Sequence, residues 1–327
     1  MYGSGYLPTR LTQHLLFMTF KEALTTLPQY ILPHHALSKM MSKLTHCENK
    51  TWKNLFIKQI IRHYGVNMKE ALEPDINTFN SFNHFFTREL KPEARPLTSE
   101  ANAIACPADG AVSQAGAITD GKIFQAKGKS FTATDLLGGD AERAEPFNNG
   151  VFTTIYLSPK DYHRLHMPLT GTLREMVHIP GRLFSVNTAT TNSVPGLFAR
   201  NERVAAIFDT EAGPMALVLV GAIFVSSIET VWHGVVTPPS ITSVRSWQYQ
   251  ENAPVLKIGE EMGRFNMGST IIVLFGKDNA QWDSELTAEK VVKLGERIGT
   301  MIKPCESTTV QPIPPLPKGW RAFFKAW

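Results

Sequence analysis

The chain has 327 residues, 43% hydrophobic and 19% charged, which is enough apolar material for one large core or two smaller ones and too much for a disordered chain. Cys47, Cys106 and Cys305 are odd in number and far apart, which excludes a disulfide framework for all three and any zinc-ligand spacing, and fits a reducing compartment. The net charge of +4 is unevenly spread: in residues 1–64, Arg10, Lys21, Lys39, Lys43, Lys50, Lys53, Lys58 and Arg62 oppose only Glu22 and Glu48, leaving residues 65–327 at −2.

A basic, acid-poor N-terminus points to an anionic surface, either membrane or nucleic acid. Leu15, Leu16, Phe17, Phe20, Tyr30, Ile31 and Leu32 interleave with the charges and favour a membrane; a solvated helical face is the plainer alternative. A spanning helix needs about 20 consecutive apolar residues, and Lys21, Pro28 and Pro33 interrupt the best candidate. Met1 to Arg10 lacks the basic-then-apolar order of a secretory signal. Membrane association is therefore expected to be peripheral.

The first hundred residues read as helical. Trp52, Leu55, Phe56, Ile60 and Tyr64 recur at helical spacing, and Gly65 is placed to end that helix. In "NTFNSFNHFFTREL" (77–90), Phe79, Phe82, Phe85 and Phe86 form a second stripe expected to be buried. From about residue 100 the texture changes to short β-type runs bounded by Gly, Pro and Asn. "GVFTTIYLSP" (150–159), "MALVLVGAIFVSSIETVW" (215–232) and "STIIVLFG" (269–276) read as strands, while "TAEKVVKLGERIG" (287–299) fits a short helix or a strand and turn. "QPIPPLP" (311–317) reads as an extended spacer. In "KGWRAFFKAW", Trp320, Phe323, Phe324 and Trp327 share one face if helical, with Lys318, Arg321 and Lys325 beside it, as in an interfacial anchor or a tail docked on its own domain. The expected class is α+β: a helical, membrane-associating region over 1–95, a β-rich catalytic body over 96–304, and a tail over 305–327.

Three small constellations could carry chemistry: Asp109 in "CPADGAVSQ", His163 and His166 in "SPKDYHRLHMP", and Ser269 in "RFNMGSTIIVLF". Each has an ordinary reading, as a turn, a metal pair without further ligands, or the start of a strand. Together, a carboxylate, an imidazole and a hydroxyl are the parts of an activated nucleophile. The Gly-x-Ser-x-Gly elbow is absent around Ser269. Gly268 stands directly before it instead, and a residue without a β-carbon leaves its carbonyl open to attack by the neighbouring hydroxyl.

"FSVN", "NERV", "FDTEAGPMALVLVGA", "SIETVWHG" and "GEEMGRFNMGST", with "PADG" and "YHRLHMP" upstream, resemble the bacterial phosphatidylserine decarboxylases over roughly residues 28–300. Met267 stands where that family usually has Leu, a swap that conserves volume. The resemblance implies a proenzyme that cuts itself between Gly268 and Ser269, with Asp109, His166 and Ser269 as the self-cleavage relay. It implies that Ser269 becomes a covalent pyruvoyl group that forms a Schiff base with the substrate amine, without metal or pyridoxal phosphate. His163 is implied to assist decarboxylation or contact substrate. The implied partners are the chain's own fragments 1–268 and 269–327, further dimerisation being open, and an anionic phospholipid membrane at the cytoplasmic face of the bacterial inner membrane, with no nucleic acid. The rival readings are a serine hydrolase of Asp-His-Ser order, whose chain would stay intact, and a membrane-binding protein without catalysis.

Overall fold

A computed structural model of the chain describes residues 20–225, 227–237, 242–268 and 270–302, without the side chains of residues 20 and 21. Ser269, Cys305, Arg10, the apolar run at Leu15–Phe17, and the spacer and aromatic tail lie outside the described residues.

Helices come first. Helix α1 is Phe20–Ile31, α2 is His34–Thr45, α3 is Lys50–Tyr64 and α4 is Phe82–Phe86. The start of α3 is set by Asn49, whose side chain accepts the Trp52 N–H at 3.0 Å, and its end by Gly65 at φ 71°, a left-handed conformation that glycine adopts without penalty. The face of α3 differs from the expected stripe. Ile57 and Lys53 are its buried residues, whereas Leu55 is 63% exposed and Trp52 and Tyr64 are exposed as well. Phe56, Ile60 and Ile61 reach the small cluster of Ile57, Phe79, Phe82, Phe85 and Phe86, and the one-turn helix α4 is too short to cover the rest. The Lys53 ammonium is turned inward onto the Ile76 carbonyl at 3.1 Å, which removes it from the basic surface counted from the sequence. Phe79, Phe82, Phe85 and Phe86 are all buried as expected, although Phe79 precedes the helix.

The body is antiparallel sheet. Its largest sheet runs, edge to edge, Arg245–Gln248, Gly171–Ile179, Arg203–Thr210, Gly213–Val220, Thr270–Phe275, Val151–Tyr156, Gly110–Ala117 and Val291–Val292. Thr270–Phe275 sits inside it, with Thr270 opposite Tyr156 on one side and Val220 on the other. Its residues alternate between two cores. Ile271, Val273 and Phe275 enter one, and Ile272 and Leu274 the other, so both faces are apolar and the segment reads as an unbroken hydrophobic run. A second, four-stranded sheet orders Gly234–Val235, Ser227–Thr230, Glu261–Asn266 and Arg164–His166. Segment 287–299 resolves as strand and turn, not helix, because Val291–Val292 pairs as the edge strand with Gly110–Ala117 and Arg297–Met301 pairs with Ala103–Ala105.

Helix α1 is tied to the body through polar contacts. Gln29 donates to Thr190 Oγ1 at 3.1 Å and accepts the Ser185 N–H at 2.8 Å, and Arg182 donates to the Tyr30 carbonyl at 2.8 Å. Lys127 of the body is held by Glu22 of the same helix at 2.8 Å.

Because Ile272 is fully buried in the middle of the largest sheet, Ile272→Ala should lower the unfolding free energy by about 3 kcal/mol in urea denaturation. Val291→Ala, at an edge position 72% exposed, should change it by less than about 0.5 kcal/mol. Equal effects would contradict the placement of the central strand.

Candidate active site

Asp109 ends the turn that leads into strand Gly110–Ala117. A β-carbon at Gly110 would overlap the Tyr156 carbonyl oxygen, so only glycine lets the two strands close at this point. The Asp109 carboxylate is fully engaged. Arg95 donates to it through Nε at 2.7 Å and through Nη2, and the Leu294 N–H donates at 2.9 Å. The same Arg95 guanidinium reaches Glu70 at 2.8 Å.

His166 closes the strand that pairs with Glu261–Asn266. Its Nδ1 lies 2.8 Å from the Gly259 carbonyl and its Nε2 3.3 Å from the Tyr162 hydroxyl. His163 lies three residues earlier, fully buried, with its ring 4.0 Å from that of Phe86 and its Nδ1 2.9 Å from the Asp161 carbonyl. A carbonyl oxygen only accepts, so in both rings the proton sits on Nδ1 and Nε2 carries the lone pair, which in His166 faces the Tyr162 hydroxyl. Burial pushes the His163 pKa down to about 3, and the Arg88 charge adds to this against the opposing Asp161 bond. Burial also lowers His166, but less one-sidedly: its Gly259 bond and the Glu261 and Asp109 charges favour its protonated form.

The small-sheet strand ends at Asn266, and Met267 and Gly268 lead toward Thr270. A β-carbon on Gly268 would stand 3.3 Å from His163 Nε2, so it is His163 that borders the glycine before Ser269. His163 Nε2 has no hydrogen-bond partner among the described residues, and neither does the buried Thr270 Oγ1 on the far side of position 269. Two orphaned buried polar atoms at one chain position are uncommon in a core and usual where chemistry is done.

The structure therefore groups Asp109, His163, His166 and Gly268 around the two sheets without joining them in one relay. The hydrogen bond expected between Asp109 and His166 is not made. Arg95 occupies the carboxylate and Gly259 occupies the imidazole Nδ1. Arg95, Tyr162 and Gly259 were missed in the sequence because their partners are 14, 4 and 93 positions away and, for Gly259, the group used is backbone. A cavity of about 380 Å³ opens beside His166, lined by Lys91, Arg95, Tyr162, Gly259 and Leu294. A second, of about 300 Å³, is lined by Gln114, Tyr156, Thr188, Asn192 and Glu289 and adjoins the start of the central strand through Tyr156. Among the described residues no group of three His, Cys, Asp or Glu is placed to hold a metal ion.

His34, His163 and His166 all sit below the usual histidine range, with burial the first cause in each. A group that is harder to protonate folded than unfolded withdraws stability as pH falls through its unfolded value. The melting temperature should therefore decline as pH drops below about 6.5, and His163→Asn should make that decline shallower. A wild-type melting temperature that stays flat between about pH 7 and pH 5 would contradict the buried neutral imidazoles.

Residues 82–300 match the family profile described as phosphatidylserine decarboxylase, and residues 24–65 match one described as PSD. The phosphatidylserine decarboxylase proenzyme of Bordetella pertussis (strain Tohama I) is 59% identical over 284 residues, covering 86% of this chain and 95% of that protein. Proteins of the same name from Ectopseudomonas mendocina (strain ymp) and Pseudomonas putida (strain W619) are 56% and 55% identical, over 85% and 86% of this chain and 98% and 99% of theirs. With two thirds of its length under one profile and relatives this similar over 86% of it, the chain belongs to the phosphatidylserine decarboxylase family.

Proposed function

We propose that this chain decarboxylates phosphatidylserine to phosphatidylethanolamine, after cutting its own backbone between Gly268 and Ser269 and converting Ser269 into a pyruvoyl group. The observation that carries the reading is a buried imidazole nitrogen, His163 Nε2, without a partner among the described residues and set against the glycine that precedes Ser269. The relatives' name, a decarboxylase proenzyme, supports the same sequence of events.

Two neutral imidazoles divide the proton traffic. The base for self-cleavage must carry a proton while the serine oxygen attacks. His166 suits this better than His163, because Glu261 and Asp109 offset part of what burial and the Arg164 charge cost its charged form. His166 accepts the Ser269 Oγ proton, the oxygen attacks the Gly268 carbonyl carbon, and the amide nitrogen takes that proton from His166 as it leaves, so an ester replaces the amide. Loss of the serine α-proton then expels the Gly268 carboxylate, and water converts the remaining dehydroalanine to the pyruvoyl group with release of ammonia. Asp109 acts on His166 by charge, and Arg95 fixes where that charge sits.

The pyruvoyl group supplies a ketone that takes up the substrate amine and accepts the electrons released as CO2 departs. The surroundings fit it: among the described residues, His163 Nε2 and Thr270 Oγ1 are buried polar atoms without a partner on either side of that position. His163 is too dry to stay charged alone. It takes a proton from the substrate ammonium while the substrate carboxylate supplies the missing counter-charge, and returns a proton to the α-carbon after CO2 has left. Fragments 1–268 and 269–327 stay together, because Thr270–Phe275 is hydrogen-bonded on both sides within the sheet.

The substrate surface is the exposed side of the N-terminal helices. Leu24, Leu27, Ile31, Leu32, Met40 and Leu44 are exposed on α1, α2 and their junction, with Lys39 and Lys43 beside them. Such a surface suits anionic lipid at the cytoplasmic face of the inner membrane. Among the described residues no helix is long and apolar enough to cross a bilayer.

Intact mass and lipid turnover, measured together, test the reading. Wild type should give two chains and produce phosphatidylethanolamine, whereas Ser269→Ala should stay one chain and produce none. His166→Ala should stay uncut, while His163→Asn should cut and then decarboxylate at least about a hundredfold more slowly. A His166→Ala protein cut as fast as wild type would overturn the division of roles. For the surface, Leu24→Glu with Ile31→Glu should weaken co-sedimentation with phosphatidylserine vesicles about tenfold without changing self-cleavage. Unchanged sedimentation would place the lipid contact elsewhere.

A further inference from the structure

Every other non-glycine residue with positive φ, among the described residues, lies between 47° and 70°, inside or near the left-handed well that Asn and Asp visit with little strain. Met267 stands apart at φ 101°. It is the residue before Gly268, two positions before Ser269, and its side chain packs against the Phe82 and Phe86 cluster. A non-glycine residue here persists only where its surroundings force it.

Both ends of the connection are fixed. Asn266 pairs with Ser227 in the small sheet, its side chain donates to Ser227 Oγ at 2.6 Å, and it accepts from Asn83 at 2.9 Å. Thr270 is held opposite both Tyr156 and Val220 in the large sheet. Residues 267 to 269 must carry the chain from one sheet to the other, and Met267 takes the strain. The chemistry proposed above relieves it. In the amide, one atom, the nitrogen, lies between the Gly268 carbonyl carbon and the Ser269 α-carbon. In the ester, two atoms lie there, Oγ and Cβ. Attack by the hydroxyl forms the C–Oγ bond and breaks the C–N bond, so the bridge gains one bond in length before it is cut at all.

We propose that Met267 is a positioning residue whose strained backbone drives the amide-to-ester shift, the lengthened bridge letting φ return to negative values. This inference rests on the self-cleavage reading. The test compares Met267→Gly with Met267→Ala, which remove the same packing and differ in the penalty for positive φ. In pulse-labelled cell-free synthesis of the full chain, followed by intact mass, Met267→Gly should cut about tenfold more slowly than Met267→Ala. In the uncut Ser269→Ala background, Met267→Gly should melt above Met267→Ala, the reverse of the usual order for glycine and alanine. Equal cleavage rates, or a glycine variant melting below the alanine variant, would overturn the strain assignment while leaving self-cleavage standing. A wild-type chain that never cuts would overturn both.

Discussion

The account depends on how firmly Thr270–Phe275 is held. It is hydrogen-bonded to a neighbour on each side and buried on both faces, with alternate side chains in two different cores. A strand fixed in this way cannot yield to its upstream connection. The preceding strand, Glu261–Asn266, belongs to a different sheet and is pinned at its last residue. Between the two strands Met267 holds φ 101°, and the Gly268–Ser269 bond follows it. The same strand keeps the two fragments together once that bond is gone.

Dryness sets the chemistry at this junction. His163 is completely buried, its ring tilted against Phe86 and bonded through Nδ1 to a backbone carbonyl, which leaves a neutral ring with one reactive lone pair. His166 shares the tautomer but sits among carboxylates, so its charged form is less disfavoured. Two histidines three residues apart thus differ in the charge each can carry. Asp109 is held by Arg95, itself shared with Glu70, and acts as a fixed charge and not as a hinge.

Much of the body was legible from local pattern. The runs at 150–159 and 269–276 are strands because β-branched and aromatic residues bounded by glycine suit a doubly buried sheet. The motifs named Asp109, His163, His166 and Gly268, and of these His163 stands beside Gly268. What failed was anything set by contacts distant in sequence. The periodicity of α3 gave the helix but not its buried face, which depends on a five-residue partner helix. Lys53 counted as surface charge until the Ile76 carbonyl claimed it. Arg95 as the partner of Asp109, and Gly259 as the partner of His166, leave no periodic or motif signal. The positive φ at Met267 is invisible in a methionine, since nothing in that residue type announces it.

The central claim is that Ser269 severs the bond on its own N-terminal side and leaves a ketone behind. The most direct measurement is the chemistry of the smaller chain's first residue. The 59 residues from 269 to 327 should be recovered without a free amino terminus and should take up one equivalent of a hydrazine reagent at that end. An ordinary free amine there, or lipid turnover by a chain never cut, would contradict the account.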